Sequence, residues 1–350
     1  MQTIALALLR GHPKGAPPRP RDPTGETAAR GYLFDEMFAR NYDESILDDA
    51  APVPFRSLPP WTRLALEVHR RRDEYDAIVT WGERLTLSLM ALQSLSRDRK
   101  PHIPLMYWFS KTNVSVPMHL FARSLHGIVT WSSVQRAHAI DKLRFPAERL
   151  HLVKHFVDQK FWAPRDHETD MICAAGKEMR DYPTLIEALR GVDVPCHIAT
   201  DTVRVNNHGL FAHHIPAERF DAAGNPHLTI GPRSHAELRE LYARSRFVVV
   251  PLLPSDTDNG VNVILEAMAM GKPVICSRTR GQVDVIQEGV TGIFVPLGDP
   301  LALRRAIVDL WRDPERARRM GAAARAYVEQ HHTLDKFCRE VWQAIETMLR

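Results

Sequence analysis

The sequence predicts an α/β protein of two doubly wound domains, and three observations carry that expectation. Short apolar runs alternate with segments of helical period along most of the chain. The alternation restarts near Met171, after an aromatic stretch at residues 156–165 that reads as a linker. A chain of 350 residues also has the length of two domains of about 150 residues each. Strands that alternate with helices form parallel sheets covered on both faces.

In the first half, strands are expected at residues 3–9, 77–81, 103–109 and 128–131. Helices are expected at 61–71, 85–95, 117–125 and 134–143. Trp61, Leu64, Ala65 and Val68 have helical spacing behind Pro60, a favoured first-turn residue. The second half offers strands at 171–175, 196–200, 227–230, 247–251, 273–276 and 292–295. Its helices are expected at 182–189, 234–243, 261–270, 300–311 and 314–330. The domains are expected at 1–160 and 161–335, with a terminal helix at 336–350 that can return to the first domain.

Composition narrows the function. Apolar residues are 44% and charged residues 25%, a globular balance that excludes global disorder. Cys173, Cys196, Cys276 and Cys338 lack disulfide-scaffold density and zinc-site spacing, and read as small core residues in a reducing compartment. No run of 18 apolar residues suggests a membrane span. The opening apolar run, closed by Arg10 with no basic start or cleavage site, reads as a first buried strand. Residues 1–165 carry a net +7 and residues 166–350 a net −3. The basic half points to an anionic partner or is simply a solvated face. It lacks the aromatic interleaving and motifs of a nucleic-acid binder. GxGxxG, GxxxxGK[ST] and GxSxG are all missing, against a dinucleotide oxidoreductase, a P-loop NTPase and an α/β-hydrolase.

Residues 11–30 form a Pro/Gly-rich basic loop directly after the first strand, where open sheets present loops to a ligand. Gly11, His12 and Lys14 are candidate acceptor or lid contacts; a disordered basic loop is the other reading. Trp81, Trp108 and Trp131 lie near successive strand ends. They either wall an acceptor site or pack the core.

The chemistry concentrates in residues 248–274. A strand ends near Pro251, a polar turn follows, and a helix begins near Asn259–Gly260. Asp258 takes the cap position and Glu266 follows eight residues later, ~12 Å along a helix. Two carboxylates so spaced suit hydroxyl groups at the two ends of a nucleotide sugar. The helix N-terminus between them, at Asn259, Gly260 and Val261, offers backbone N–H groups to phosphates. A simple N-cap and an exposed helix residue would read the same. Asp256-Thr257-Asp258 is weak grounds for a metal site.

Glu266-Ala-Met-Ala-Met-Gly-Lys-Pro-Val274 continues into Gly281, Asp284, Glu288-Gly289-Val-Thr-Gly292 and Gly298-Asp299. This run resembles the donor-binding region of glycosyltransferase family 4 (glycosyl transferases group 1), the retaining group of GT-B architecture. Three upstream segments resemble the family too: Leu150–Pro164, Ala174–Leu189 and Ile230–Tyr242. The resemblance spans about residues 128–335. It departs from the family pattern at Asp258, in place of Glu, and at Met270, in place of a small residue. Lys177 precedes Arg180, reversing the family's order. Ser110 stands where the family often has a sugar-contacting His.

The resemblance implies a GT-B fold, two Rossmann-like doubly wound domains facing across a cleft. It implies a retaining glycosyltransferase that moves a sugar from a UDP or GDP sugar to a glycan, lipid-linked or small-molecule acceptor, without metal or cofactor. Lys177, Arg180 and Asp258 would be catalytic. Glu266, Asn259, Gly260, Val261, Gly231 and Arg233 would hold the donor, and Ser110 would face the acceptor. A cytoplasmic protein, able to touch the inner membrane face through its basic half, fits this picture. The departures leave open a non-catalytic nucleotide-sugar-binding protein, a phosphorylase or an epimerase.

Overall fold

The computed structural model describes residues 3–7, 43–47, 57–204, 214–216 and 225–350. The chain divides into two compact units. The described residues up to Lys154, together with Asp335–Arg350, form the first, and His155–Leu334 the second.

The first unit holds a six-stranded parallel sheet in the order β2-β1-β3-β4-β5-β6. Its strands are β1 (Thr3–Ala7), β2 (Asp43–Leu47), β3 (Ala77–Trp81), β4 (His102–Leu105), β5 (Ile128–Thr130) and β6 (Leu150–Leu152). Ile4, Ala5, Leu6 and Ala7 are fully buried, as a central parallel strand requires. β2 escapes the sequence pattern because it reads Asp-Glu-Ser-Ile-Leu; as an edge strand it tolerates charge. β4 stops four residues short of the expected end. Beyond it, the amides of residues 107–110 leave the sheet for the side chains of Glu83 and Gln135.

Among the described residues, four helices connect these strands: α1 (Pro60–Arg70), α2 (Glu83–Ser94), α3 (Thr112–Phe121) and α4 (Ser133–Asp141). α3 does not start at Pro117, as the sequence suggests. It starts at Thr112 and carries Pro117 inside, forfeiting the one hydrogen bond that this residue's N–H would have made.

The second unit holds a parallel sheet in the order β11-β8-β7-β12-β13-β14. These strands are β7 (Met171–Ala175), β8 (Cys196–Ala199), β11 (Leu228–Gly231), β12 (Ser245–Val250), β13 (Val274–Ser277) and β14 (Gly292–Val295). An unanticipated antiparallel pair, β9 (Thr202–Arg204) and β10 (His214–Pro216), follows β8. The helices are α5 (Tyr182–Leu189), α6 (His235–Arg244), α7 (Val261–Ala269), α8 (Pro300–Arg312) and α9 (Pro314–His331). β12 shows why this central strand is apolar from Phe247 to Val250. Phe247 and Val249 join the core under α5 and α8, while Val248 and Val250 join the core under α6, α7 and α9. Helix starts are fixed by side-chain caps: Asp181 for α5, Asp299 for α8, Asp313 for α9, and Ser234 with Glu237 as a capping box for α6.

Residues 156–165 are not a loose linker. Phe161 and Trp162 are buried in the second core, with Trp162 5.4 Å from the Tyr242 ring. The last helix, α10 (Leu334–Leu349), belongs to the first unit beyond Leu334. Phe337 packs edge-on to Trp81 and Trp131, and the Met348 carbonyl lies 2.6 Å from His126 Nε2. All four cysteines are buried.

Candidate active site

The topology of the second sheet indicates where a ligand sits. From β7 the chain moves outward to β8 and β11, then returns to β12 on the other side of β7 and moves outward again. Loops at such a reversal part at the carboxyl ends of the two strands and open a crevice. Here they are residues 176–181 after β7 and 251–260 after β12. They are laced together: Asp181 N donates to Pro251 O at 3.0 Å and Leu253 N to Met179 O at 2.9 Å.

Arg180 lies at this junction, 6% exposed. Its Nε donates to Ala175 O at 2.9 Å and Nη1 to Glu178 O at 2.7 Å. The guanidinium occupies a slot between two glycines of positive φ, Gly176 (98°) and Gly260 (90°). A methyl group on Gly176 would fall 2.5 Å from Arg180 Nη2, and one on Gly260 would fall 3.6 Å from Nη1. Both positions need glycine for conformation and for space. Two carbonyls hold the planar fork, and its remaining N–H groups suit a bidentate anion.

Gly260 is the N-cap of α7 and supplies no side-chain cap. Asp258 therefore does not cap the helix, contrary to the simplest reading of the sequence. The helix starts at Val261, so only the last part of the span from Asp258 to Glu266 is helical. Asp258 is 5% exposed, and its Oδ1 accepts from Thr257 Oγ1 at 3.1 Å. Asn259 turns its amide to Ser255 Oγ at 2.8 Å. Val261 N, one of the amides expected to meet a phosphate, donates instead to Asp258 O at 3.0 Å, and the amides of Asn262 and Val263, with no carbonyl one turn back, are left to a ligand or water.

Glu266 lies further along α7, half-buried, and accepts from the Tyr242 hydroxyl at 3.2 Å. Burial pushes its carboxyl up to about 8, against the opposing pull of that hydrogen bond and of the Arg180 charge. Arg180, Gly260, Val261 and Glu266 thus form one electrostatic neighbourhood, with Tyr242 as a member that sequence reasoning missed. Tyr242 sits on α6, and no local sequence pattern ties it to Glu266.

Other expected residues stand apart. Lys177 is exposed and ion-paired with Asp201. Gly231 ends β11, where its carbonyl lies 3.2 Å from His197 Nε2. Arg233 is exposed, with Nη1 donating to Pro232 O at 2.9 Å. Gly11, His12 and Lys14 lie outside the described residues. In the first unit, Ser110 Oγ accepts from Trp108 Nε1 and Gln135 Nε2, each at 3.1 Å, so its own proton is left to donate. Trp81 and Trp131 pack with Tyr107 and Phe337, while Trp108 turns away and stacks under Lys111. The three tryptophans do not form a single wall. Among the described residues no group of three or more His, Cys, Asp or Glu could hold a metal ion.

Residues 209–313 match the family model described as glycosyl transferases group 1. The chain is 29% identical over 181 residues to a GDP-mannose-dependent alpha-(1-6)-phosphatidylinositol monomannoside mannosyltransferase of Mycolicibacterium smegmatis, covering 50% of this chain and 41% of that protein. It is 36% identical over 84 residues to a D-inositol 3-phosphate glycosyltransferase of Streptomyces scabiei, covering 24% and 19%. These matches make the second half of the chain similar to the glycosyl transferases group 1 family. The matched stretches span less than half the length of these relatives. Solved structures extend the likeness in fold to the whole chain. Anabaena HepE, in complex with UDP, superposes with a TM-score of 0.70 at 15% identity, covering 99% of this chain and 100% of that one. Sucrose-phosphate synthase from Thermosynechococcus elongatus gives 0.74 at 15% identity, covering 98% of each. The fold is GT-B, and the group 1 match includes the α7 segment with Gly260 and Glu266.

Proposed function

We propose that this protein is a retaining glycosyltransferase that uses a UDP or GDP sugar and a glycan, lipid-linked or small-molecule acceptor. The observation that carries this reading is the Arg180 guanidinium, seated between Gly176 and Gly260 beside the N-terminus of the helix that bears Glu266. As the bond from the anomeric carbon to the diphosphate breaks, negative charge grows on the departing phosphate. Arg180 and the Asn262 and Val263 amides of α7 donate to that charge on this reading. Glu266 accepts from ribose hydroxyls, and Asp258 from hydroxyls of the transferred sugar. Lys177 reaches the phosphates by exchanging Asp201 for them. Retention follows if the acceptor attacks from the face that the diphosphate leaves, with the leaving phosphate taking the acceptor's proton. This scheme calls for no metal and no protein nucleophile.

The acceptor falls to the first unit, where the Ser110 hydroxyl is a ready donor. No helix among the described residues is long and apolar enough to cross a membrane. The net charge of residues 1–165 is the ground for proposing a cytoplasmic enzyme with shallow membrane contact. A non-catalytic nucleotide-sugar binder is the second reading, favoured by the exposed pairing of Lys177 with Asp201.

Calorimetric titration with UDP, GDP and ADP, without divalent metal, tests the proposal on wild type and Glu266→Ala. Binding of one nucleotide, lost in the variant, supports it and selects the base. No binding of any nucleotide overturns it. Binding without turnover across a broad acceptor panel favours the second reading.

A further inference from the structure

The loop from Ser255 to Gly260 is braced from outside by residues 279–282, which the donor reading leaves without a role. We propose that Gln282 is a positioning residue: its side-chain amide holds the backbone of Asp258 and Asn259, and so aims Asp258 and the start of α7 at the donor sugar. The inference rests on the donor reading above for its consequence, but not for its geometry.

Gln282 is 1% exposed. Its Nε2 donates to Asn259 O at 3.1 Å and to Asp258 O at 3.3 Å. Asn259 precedes the N-cap, so its carbonyl accepts no bond from the helix and must find a partner elsewhere. Asp258 O already accepts from Val261 N at 3.0 Å, so Gln282 grips the helix entrance at a point where the chain is fixed. Gln282 is itself held. Its own N–H donates to Thr279 Oγ1 at 3.0 Å, and Gly281 N donates to Ser255 O at 3.1 Å. Gly281 lies flat on the Thr257 peptide, where any side chain would collide with backbone.

The amide pays for this grip on its other side. Gln282 Oε1 is buried and has no hydrogen-bond partner. An orphaned buried acceptor is unfavourable, and turning the amide over would set an oxygen against two carbonyls. A side chain of mere packing value would be better served by an apolar isostere. Keeping the amide makes sense where the position of two carbonyls matters more than stability.

Gln282→Met keeps the length and shape but removes both the donor and the orphan. Gln282→Glu keeps the shape and opposes oxygen to carbonyl. Hydrogen–deuterium exchange on each variant is expected to rise about tenfold or more at amides 257–262, with β14 unchanged. Thermal stability of Gln282→Met should be equal to wild type or higher. In steady-state assays kcat should drop about tenfold or more, with nucleoside diphosphate affinity within about twofold of wild type. Unchanged exchange at 257–262 in Gln282→Met overturns the brace, whatever the activity. Unchanged kcat with a loosened loop overturns its role in aiming the donor. If wild type binds no nucleotide, the functional reading fails, and the exchange data still decide the brace.

Discussion

The two domains share a topology and differ in how their sites are built. Each sheet reverses direction once, between β1 and β3 in the first and between β7 and β12 in the second. In the second domain the reversal is lined by backbone: two positive-φ glycines, a helix N-terminus and one arginine held by carbonyls. In the first, the residues past β4 are held by side chains from distant helices, Glu83 and Gln135. A site made of backbone is intolerant of substitution and leaves a dense local motif. A site made of side-chain hydrogen bonds can change residue by residue and leaves a faint one.

Four measurements test that contrast, and the largest effect is expected in the second domain. Arg180→Ala should lower kcat/KM about 100-fold or more, because on the proposed mechanism a preorganised donor to the leaving phosphate is lost. Gly176→Ala should approach that loss by displacing the guanidinium. Lys177→Ala, which removes an exposed and screened charge, should cost less than about tenfold. Equal losses for Arg180→Ala and Lys177→Ala would break the contrast.

Glu266 gives the next effect. Burial pushes its carboxyl up to about 8, and on the proposed donor reading ribose hydroxyls bind the ionised form. Nucleotide affinity should therefore rise with pH, about tenfold between pH 7 and pH 9, and then level off. Glu266→Gln should flatten that profile. A profile that falls over the same range would contradict the assignment.

Ser110→Ala comes third. It should reduce turnover about threefold to tenfold, with no change in nucleotide affinity, since on the proposed reading one neutral hydrogen bond to the acceptor is lost. A matching loss of nucleotide affinity would mean that the two sites are not separable in this way.

The smallest effect concerns stability. Thr86 Oγ1 donates to Gly82 O, so it accepts from Thr80, which in turn accepts from His102 Nε2. Burial lowers His102 to about 3. The folded chain keeps it neutral, while the unfolded chain protonates it near the ordinary value of about 6.5. Its contribution is complete above that value and declines as pH falls towards 3, by at most about 1.4 kcal/mol per pH unit. His102→Gln should flatten the acid limb of a denaturation profile by that amount.

The sequence made the second domain's strands and helices readable because each is bounded by a capping acid, a proline or a glycine. Asp299-Pro300 and Asp313-Pro314 mark α8 and α9 almost to the residue. β2 was illegible because an edge strand carries acids, and α3 because its proline sits in mid-helix rather than at the start. In the site, Glu266 and Arg180 were legible through motif and charge. Asp258's release from capping was not, since it depends on Gly260 adopting a left-handed turn. Tyr242 and Gln282 were invisible, because their partners are 24 and 23 or 24 positions away and no periodicity links them.

The return of α10 to the first unit sets an order of events during synthesis. Residues 155–334 are contiguous, so the second domain has all its parts as soon as Leu334 has left the ribosome. The first domain, although translated earlier, must wait for Phe337, Val341, Trp342 and Ile345, all of them buried. Until they arrive, its early strands lack part of the surface that closes them, and Trp81 and Trp131 lack their aromatic partner Phe337. Vectorial folding usually proceeds from the N-terminus. Here residues 155–334 are all synthesised before the α10 residues that complete the first domain.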